Sequence, residues 1–309
     1  MSKPNLSVNI DQIRMGNPVM NGAGTFGYGD EYKDLMDKLG AFVTKSITLK
    51  PRKGNRVPRA LDLNMGCMLN AIGLHNVGLE ALIKEKLPYL RQFKVPVIVS
   101  IAGDTVEEYR EIAKILNPKE EIVGLEVNIS CPNVKKGGAA FGTDPKIAYE
   151  VVKGVCEEAT ELTVITKLSP NVTDITEIAR SVVDAGTEAI SLINTITGMA
   201  IDIHTKKPIL ADTTGGLSGP VIKPIGVRMV WECYNSVCKD AKIPIVGMGG
   251  ISNSEDAIEY ILAGATAIAV GTANFYNPDV TKKIIQGIKK YLQKEDIADV
   301  KKLVGSLQT

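Results

Sequence analysis

The side chains best suited to acid–base or nucleophilic chemistry stand where short apolar runs end. In "GLEVNISCPNVKKGGAAFG", from Gly124 to Gly142, the run Leu125, Val127, Ile129 stops at Ser130-Cys131-Pro132-Asn133, and a glycine-rich stretch follows. Lys45 closes a similar run in "AFVTKSIT", Lys167 in "LTVITKLSP" and Asn194 in "AISLINT", while Asn70 lies in "MLNAIG". The two histidines, His75 and His204, end no such run. Acid–base work at these ends therefore falls to thiol, amine and amide groups. A lone lysine at a strand end is ordinarily a solvated terminus, but two converging on one mouth change that balance. A buried, inert Cys131 would be expected in a more apolar neighbourhood than Ser-Cys-Pro-Asn.

The elements that must position these groups are legible as a rhythm. Short β-branched runs recur, each ended by Gly, Asn, Ser or Pro and followed by an amphipathic stretch of helical length. Eight runs qualify, beginning at Pro18, Ala41, Val95, Gly124, Leu162, Ala189, Ile243 and Ala267. Helices are expected over Asp144 to Ala159, Thr173 to Ala185, Pro224 to Asp240 and Ser252 to Ala263. Eight strand–helix units in 309 residues predict an α/β fold, a (β/α)8 TIM barrel, in one domain spanning 1–309. The surplus residues fit an N-terminal hairpin in "LSVNIDQIRMGNPV" and long loops after strands two, four and six. Loops of that length inside a compact domain are usually functional. An open doubly wound sheet shares the alternation, but no G-x-G-x-x-G turn follows the first strand.

In such a barrel the strand C-termini build the active site, and the loops after strands seven and eight commonly hold a phosphate. Strand seven ends in "GMGGI" with Gly249 and Gly250, and Ser252 is a candidate N-cap for the helix beyond; strand eight ends in "VGTA" with Gly271 and Thr272. Glycines let an anion approach backbone N–H groups, and a helix start adds positive dipole character. On strand four, period two puts Glu126, Asn128 and Ser130 on one face and the apolar set on the other. Asn128 is thus expected to point into the barrel near its mouth, with Cys131 just beyond.

Composition excludes several other roles. With 36 basic and 35 acidic side chains the chain has no global field to draw it to nucleic acid or an anionic membrane, and no window approaches a membrane span. The N-terminus carries no leader pattern. The cysteines Cys67, Cys131, Cys156, Cys233 and Cys238 show no metal or iron–sulfur spacing, and a reducing cytoplasm is implied. Cys233 and Cys238 can share a helix face and read best as small buried hydrophobes.

The motifs "NISCPNVKKGGAAFGTDP", "KLSPNVTDI", "INTITGMAID", "TGGLSGPVIKP", "GMGGI" and "VGTANF", in this order, resemble those of the class 1 dihydroorotate dehydrogenases. "MLNAIGLHN" with "TGGLSGPVIKP" looks like subclass B, and the likeness covers nearly the whole chain. The resemblance implies FMN-dependent oxidation of dihydroorotate to orotate in pyrimidine biosynthesis, with Cys131 taking the C5 proton and the flavin the C6 hydride. It assigns the FMN phosphate to Gly249, Gly250, Gly271 and Thr272, with Gly219 nearby. Ala23, Gly24, Lys45, Ser46, Ser100, Asn128, Lys167 and Ile193 would contact the rest of the flavin. Substrate would lie against Lys45, Asn70, Ala71, Ile72, Gly73, Leu74, Asn128, Asn133, Asn194 and Thr195. Lys167 would stabilise charge on the reduced ring, and the asparagines would hydrogen-bond substrate amides without adding charge. Ala23 and Ser100 depart from the residues common in the family, serine and asparagine, and His75 is given no role.

Subclass B further implies a partner subunit carrying FAD and a [2Fe-2S] cluster, with NAD as final acceptor, in a two-plus-two heterotetramer around a homodimer of this chain. The competing expectation is a subclass A homodimer reducing fumarate directly. A colourless phosphate-binding lyase or isomerase using Lys167 as Schiff-base nucleophile is a more distant reading.

Overall fold

The computed structural model describes residues 3–130 and 141–308. Eight parallel strands carry the fold: β1 (Val19–Asn21), β2 (Phe42–Val43), β3 (Val97–Ile101), β4 (Gly124–Asn128), β5 (Thr163–Lys167), β6 (Ala189–Leu192), β7 (Ile245–Met248) and β8 (Ala267–Val270). They pair in the order β1-β8-β7-β6-β5-β4-β3-β2, and a parallel bridge between Met20 and Ala41 joins the two ends. The expected (β/α)8 barrel is the fold.

Every residue of β3, β4 and β5 is buried. That is why their runs are nearly continuous in β-branched residues: helices cover one face and the barrel interior takes the other. Outside lie α1 (Val106–Leu116), α2 (Pro145–Glu158), α3 (Ile175–Asp184), α4 (Lys223–Cys233), α5 (Ser254–Ala263) and α6 (Val280–Lys294). In α3 the buried set Ile175, Ile178, Ala179 and Val182 has the i, i+3, i+4, i+7 spacing of one helix face. The starts are set by side chains that satisfy otherwise unpaired N–H groups: Thr105, Asp144 and Asp174 cap α1, α2 and α3. The expected cap Ser252 lies one residue early. Asn253 caps α5, and Asp256 reciprocates to close a capping box. The helix expected over 224–240 runs as α4, a wider turn at Tyr234–Cys238 and a last turn at Lys239–Ala241, ending with Lys242 in the left-handed region.

The N-terminal hairpin pairs Val8–Ile10 with Ile13–Met15, and alternation buries Val8, Ile10, Ile13 and Met15 while Asn9 and Arg14 stay exposed. It plugs the bottom of the barrel. A Cβ added at Gly124, the first residue of β4, would lie 3.0 Å from Ile13 Cδ1.

The long connections after β2 and β6 are more ordered than loops. Ile196–Met199, Thr214–Ser218, Met68–Asn70 and Ala60–Asp62 form a four-stranded antiparallel sheet in that order. Its strands are short and half exposed, and glycines interrupt two of them, so neither length nor apolar alternation marks them in the sequence. Cys131 and Asn133 lie outside the described residues.

Candidate active site at the barrel mouth

A cavity of about 780 Å³ opens at the C-terminal ends of the strands, within the size range of small-molecule and cofactor sites. It receives side chains from both sides of the barrel and from the antiparallel sheet.

On the β7–β8 side the wall is backbone. Gly249 and Gly250 follow β7 with φ of 125° and 71°, and Gly219, at φ 102°, stands opposite them. Tyr260 of α5 is fully buried and donates its hydroxyl to the Gly249 carbonyl at 2.7 Å, which fixes the turn from below. Among the described residues the chain supplies no acceptor for the N–H groups of Gly249, Gly250, Gly271 and Thr272. A Cβ at Gly271 would meet nothing within 4 Å, so this stretch is open toward the cavity. Unpaired donors around open space are the donor set a phosphate requires. The residues present fit a phosphorylated cofactor.

The loop after β7 is braced by Asp256. Its carboxylate accepts from Ser252 N–H at 2.9 Å, Ser252 Oγ at 2.8 Å and Lys223 Nζ at 2.8 Å. Burial alone would push this carboxyl up, but the bonds from Lys223 and Ser252 outweigh it and hold the group below its ordinary range.

On the β2–β6 side the wall is a chain of neutral polar side chains. Ser100 Oγ and Ser46 Oγ stand 2.8 Å apart, and Asn128 Nδ2 donates to Ser46 Oγ at 3.1 Å. Ser130 Oγ donates to Asn128 Oδ1 at 2.9 Å, and Asn194 Nδ2 donates to Ser130 Oγ at 2.5 Å. Such a network fixes each amide's orientation, which matters where donors and acceptors must match a ligand. Asn128 does point inward, as period two predicts. Lys167 stands beside it in register and also lines the cavity.

Lys45 lines the cavity from the end of β2. Burial pushes its ammonium below the usual lysine value, and the like charge of Arg59 pushes it further. The other thiols give a contrast. Burial pushes Cys156 and Cys238 up to about 12, and raises Cys233 as well. These three are inert packing groups at neutral pH.

The structure brings most of the expected residues together. Ala23, Gly24, Lys45, Ser46, Asn128, Lys167, Ile193, Gly219, Gly249, Gly250, Gly271 and Thr272 line the cavity. So do Asn70, Ala71, Ile72, Gly73, Leu74, Asn194 and Thr195. Ser100 does not: it is fully buried behind Ser46, one layer below the cavity lining. Sequence reasoning passed over Ser130 and Asn171, although the first shares the face of Asn128 and the second sits in "KLSPN". It also missed Asn55, held to the loop by its N–H bond to the Ile72 carbonyl, and Met68, Thr197 and Thr214–Gly216, which the antiparallel sheet carries to the mouth. His75 lines the cavity too, with Nδ1 3.2 Å from Arg59 Nη2.

Among the described residues no helix is long and apolar enough to cross a membrane. Residues 5–292 match the family model described as dihydroorotate dehydrogenase. The chain is 54% identical over 311 residues to the catalytic subunit of dihydroorotate dehydrogenase B (NAD(+)) from Geotalea uraniireducens, covering 100% of both chains. It is 54% identical to the like-named subunit of Geobacter metallireducens, again over 100% of each, and 52% identical to that of Trichlorobacter lovleyi over 99% of each.

Proposed function

The chain belongs to the dihydroorotate dehydrogenase family, and from that premise we propose that it is the FMN-binding catalytic chain of an enzyme that oxidises dihydroorotate to orotate with NAD as final acceptor. One observation carries the reading. A single cavity has unpaired backbone donors on one side and, on the other, neutral amides flanked by two lysines.

When bound, FMN supplies the two-electron oxidant for the bond that becomes the double bond of orotate. The N–H groups of Gly249, Gly250, Gly271 and Thr272 hold its phosphate, with Gly219 beside them. Ala23, Gly24, Ser46 and Ile193 border its ring system, with Ser100 behind Ser46. Lys45 pairs with the substrate carboxylate. Asn70, Asn128, Asn194 and Thr195 meet ring amides with matched donors and acceptors, and Asn133 is assigned to the same substrate. The segment 71–74, just before His75, packs along the substrate. Cys131 removes the C5 proton, and Lys167 stabilises negative charge as it develops across the cavity.

The relatives' names call them catalytic subunits, which supports a second subunit for this chain. In this reading the partner carries FAD and a [2Fe-2S] cluster, binds a homodimeric core in a two-plus-two assembly, and works in the cytoplasm in pyrimidine biosynthesis. The whole of 1–309 serves as one flavin-binding domain.

The test is anaerobic. Dihydroorotate added to the purified yellow chain is expected to bleach the flavin absorbance with one orotate formed per flavin; a colourless chain, or one that dihydroorotate leaves yellow, overturns the reading.

A further inference from the structure

Glu126 is buried inside the barrel, 3% exposed, and none of the roles above uses it. One carboxylate oxygen, Oε1, accepts from Ser191 Oγ of β6 at 2.9 Å. The other, Oε2, has no hydrogen-bond partner and stands 3.9 Å from Lys167 Nζ. A buried carboxylate with an unpaired oxygen is costly unless a cation compensates it, and a buried ammonium needs the same in return. Lys167 is 7% exposed, so each charge here depends on the other.

The geometry of the pair is informative. At 3.9 Å the ammonium is too far to hydrogen-bond the carboxylate. A pair built for stability alone would close to about 2.8 Å. Here the carboxylate supplies a field without taking the ammonium's protons. Lys167 lines the cavity and Glu126 does not, since it lies one residue pair deeper on β4, level with Ile165 on β5. Ser191 of β6, in register with Lys167, orients the carboxylate by its hydrogen bond, so the lysine is backed by an oriented anion and fronted by the cavity.

We propose that Glu126 is a positioning residue, held by Ser191, that keeps the Lys167 ammonium set against the ring bound in the cavity. The inference rests on the flavin reading of that cavity. Lys167 acts on the ring directly, and Glu126 acts through Lys167.

The test measures the flavin midpoint potential by dye equilibration in the FMN-loaded chain. A cation beside the ring favours the reduced, more negative form. With Glu126→Gln, Lys167 loses its counter-charge and with it its place. The potential is expected to fall by at least tenfold in the reduced-to-oxidised ratio, about 30 mV for a two-electron couple. Ser191→Ala, which leaves the carboxylate but frees it, is expected to shift the potential the same way by less, and covers the case in which Glu126→Gln does not fold. Glu126→Asp is expected to restore part of the shift. In a Lys167→Met background, Glu126→Gln is expected to produce no further fall.

An upward shift in Glu126→Gln would mean that Glu126 acts on the ring only as a distant negative charge, and no shift would mean that it serves the fold alone. Either result overturns the inference, as does a fall that persists in the Lys167→Met background. A wild-type chain that carries no flavin overturns instead the reading on which the inference rests.

Discussion

At the scale of single residues, the proposed chemistry turns on one thiol and one amine with opposite responses to pH. A free cysteine titrates near ~8.5, so a base at Cys131 becomes more competent as pH rises. Cys131→Ala is expected to lose roughly 10²- to 10⁴-fold in the rate of flavin reduction while FMN stays bound; equal rates in stopped flow would remove the base assignment. Cys131→Ser is expected to keep part of the rate with its optimum moved upward, because a hydroxyl is the weaker acid. Lys45 responds in the other sense. Burial and the charge of Arg59 hold its folded value below that of a free lysine, so its ammonium is present below that lowered value and lost as pH rises through it. Orotate affinity, followed by spectral titration, is therefore expected to weaken on the alkaline side sooner than a free amine would dictate. Lys45→Arg, whose guanidinium stays charged, is expected to remove that decline.

At the scale of elements, the loops after β7 and β8 do different work although both are glycine turns. Gly249 and Gly250 occupy positive φ, and a Cβ at Gly250 would stand 2.8 Å from the Gly219 carbonyl oxygen, so these glycines are demanded by the backbone itself. Gly271 has no such constraint and faces open space. Gly271→Ala is accordingly expected to leave the melting temperature of the FMN-free chain within a degree or two while weakening FMN at least tenfold in a fluorescence titration, about 1.4 kcal/mol. Equal loss of stability and of binding would show that the glycine serves the fold. The antiparallel sheet acts at the same scale: by pairing Met68–Asn70 with Thr214–Ser218 it brings residues nearly 150 positions apart in the sequence to one rim of the cavity.

At the scale of the whole molecule, the proposed flavin lies in the cavity at the barrel mouth, and electrons that it accepts have to leave. The chain alone is expected to be reduced by dihydroorotate but to pass no electrons to NAD until an iron–sulfur flavoprotein partner is added. Anaerobic turnover with NAD, with and without the co-expressed partner, measures this. Rapid reoxidation of the isolated chain by fumarate would favour the directly reducing homodimer. The sequence by itself determined the barrel, because eight buried β-branched runs with helices between them leave few ways to bury both faces. It also determined the glycines of β7 and β8 and the inward face of β4, since those follow from local conformation and period two. Only the tertiary structure decided what arrives from elsewhere. The four-stranded sheet depends on pairings too distant for local pattern to encode, Ser100 sits behind Ser46 because of the barrel's layering, and Glu126 meets Lys167 because adjacent strands fix their register. Local sequence can place a side chain on a face, but which neighbour it finds there is set by closure of the barrel.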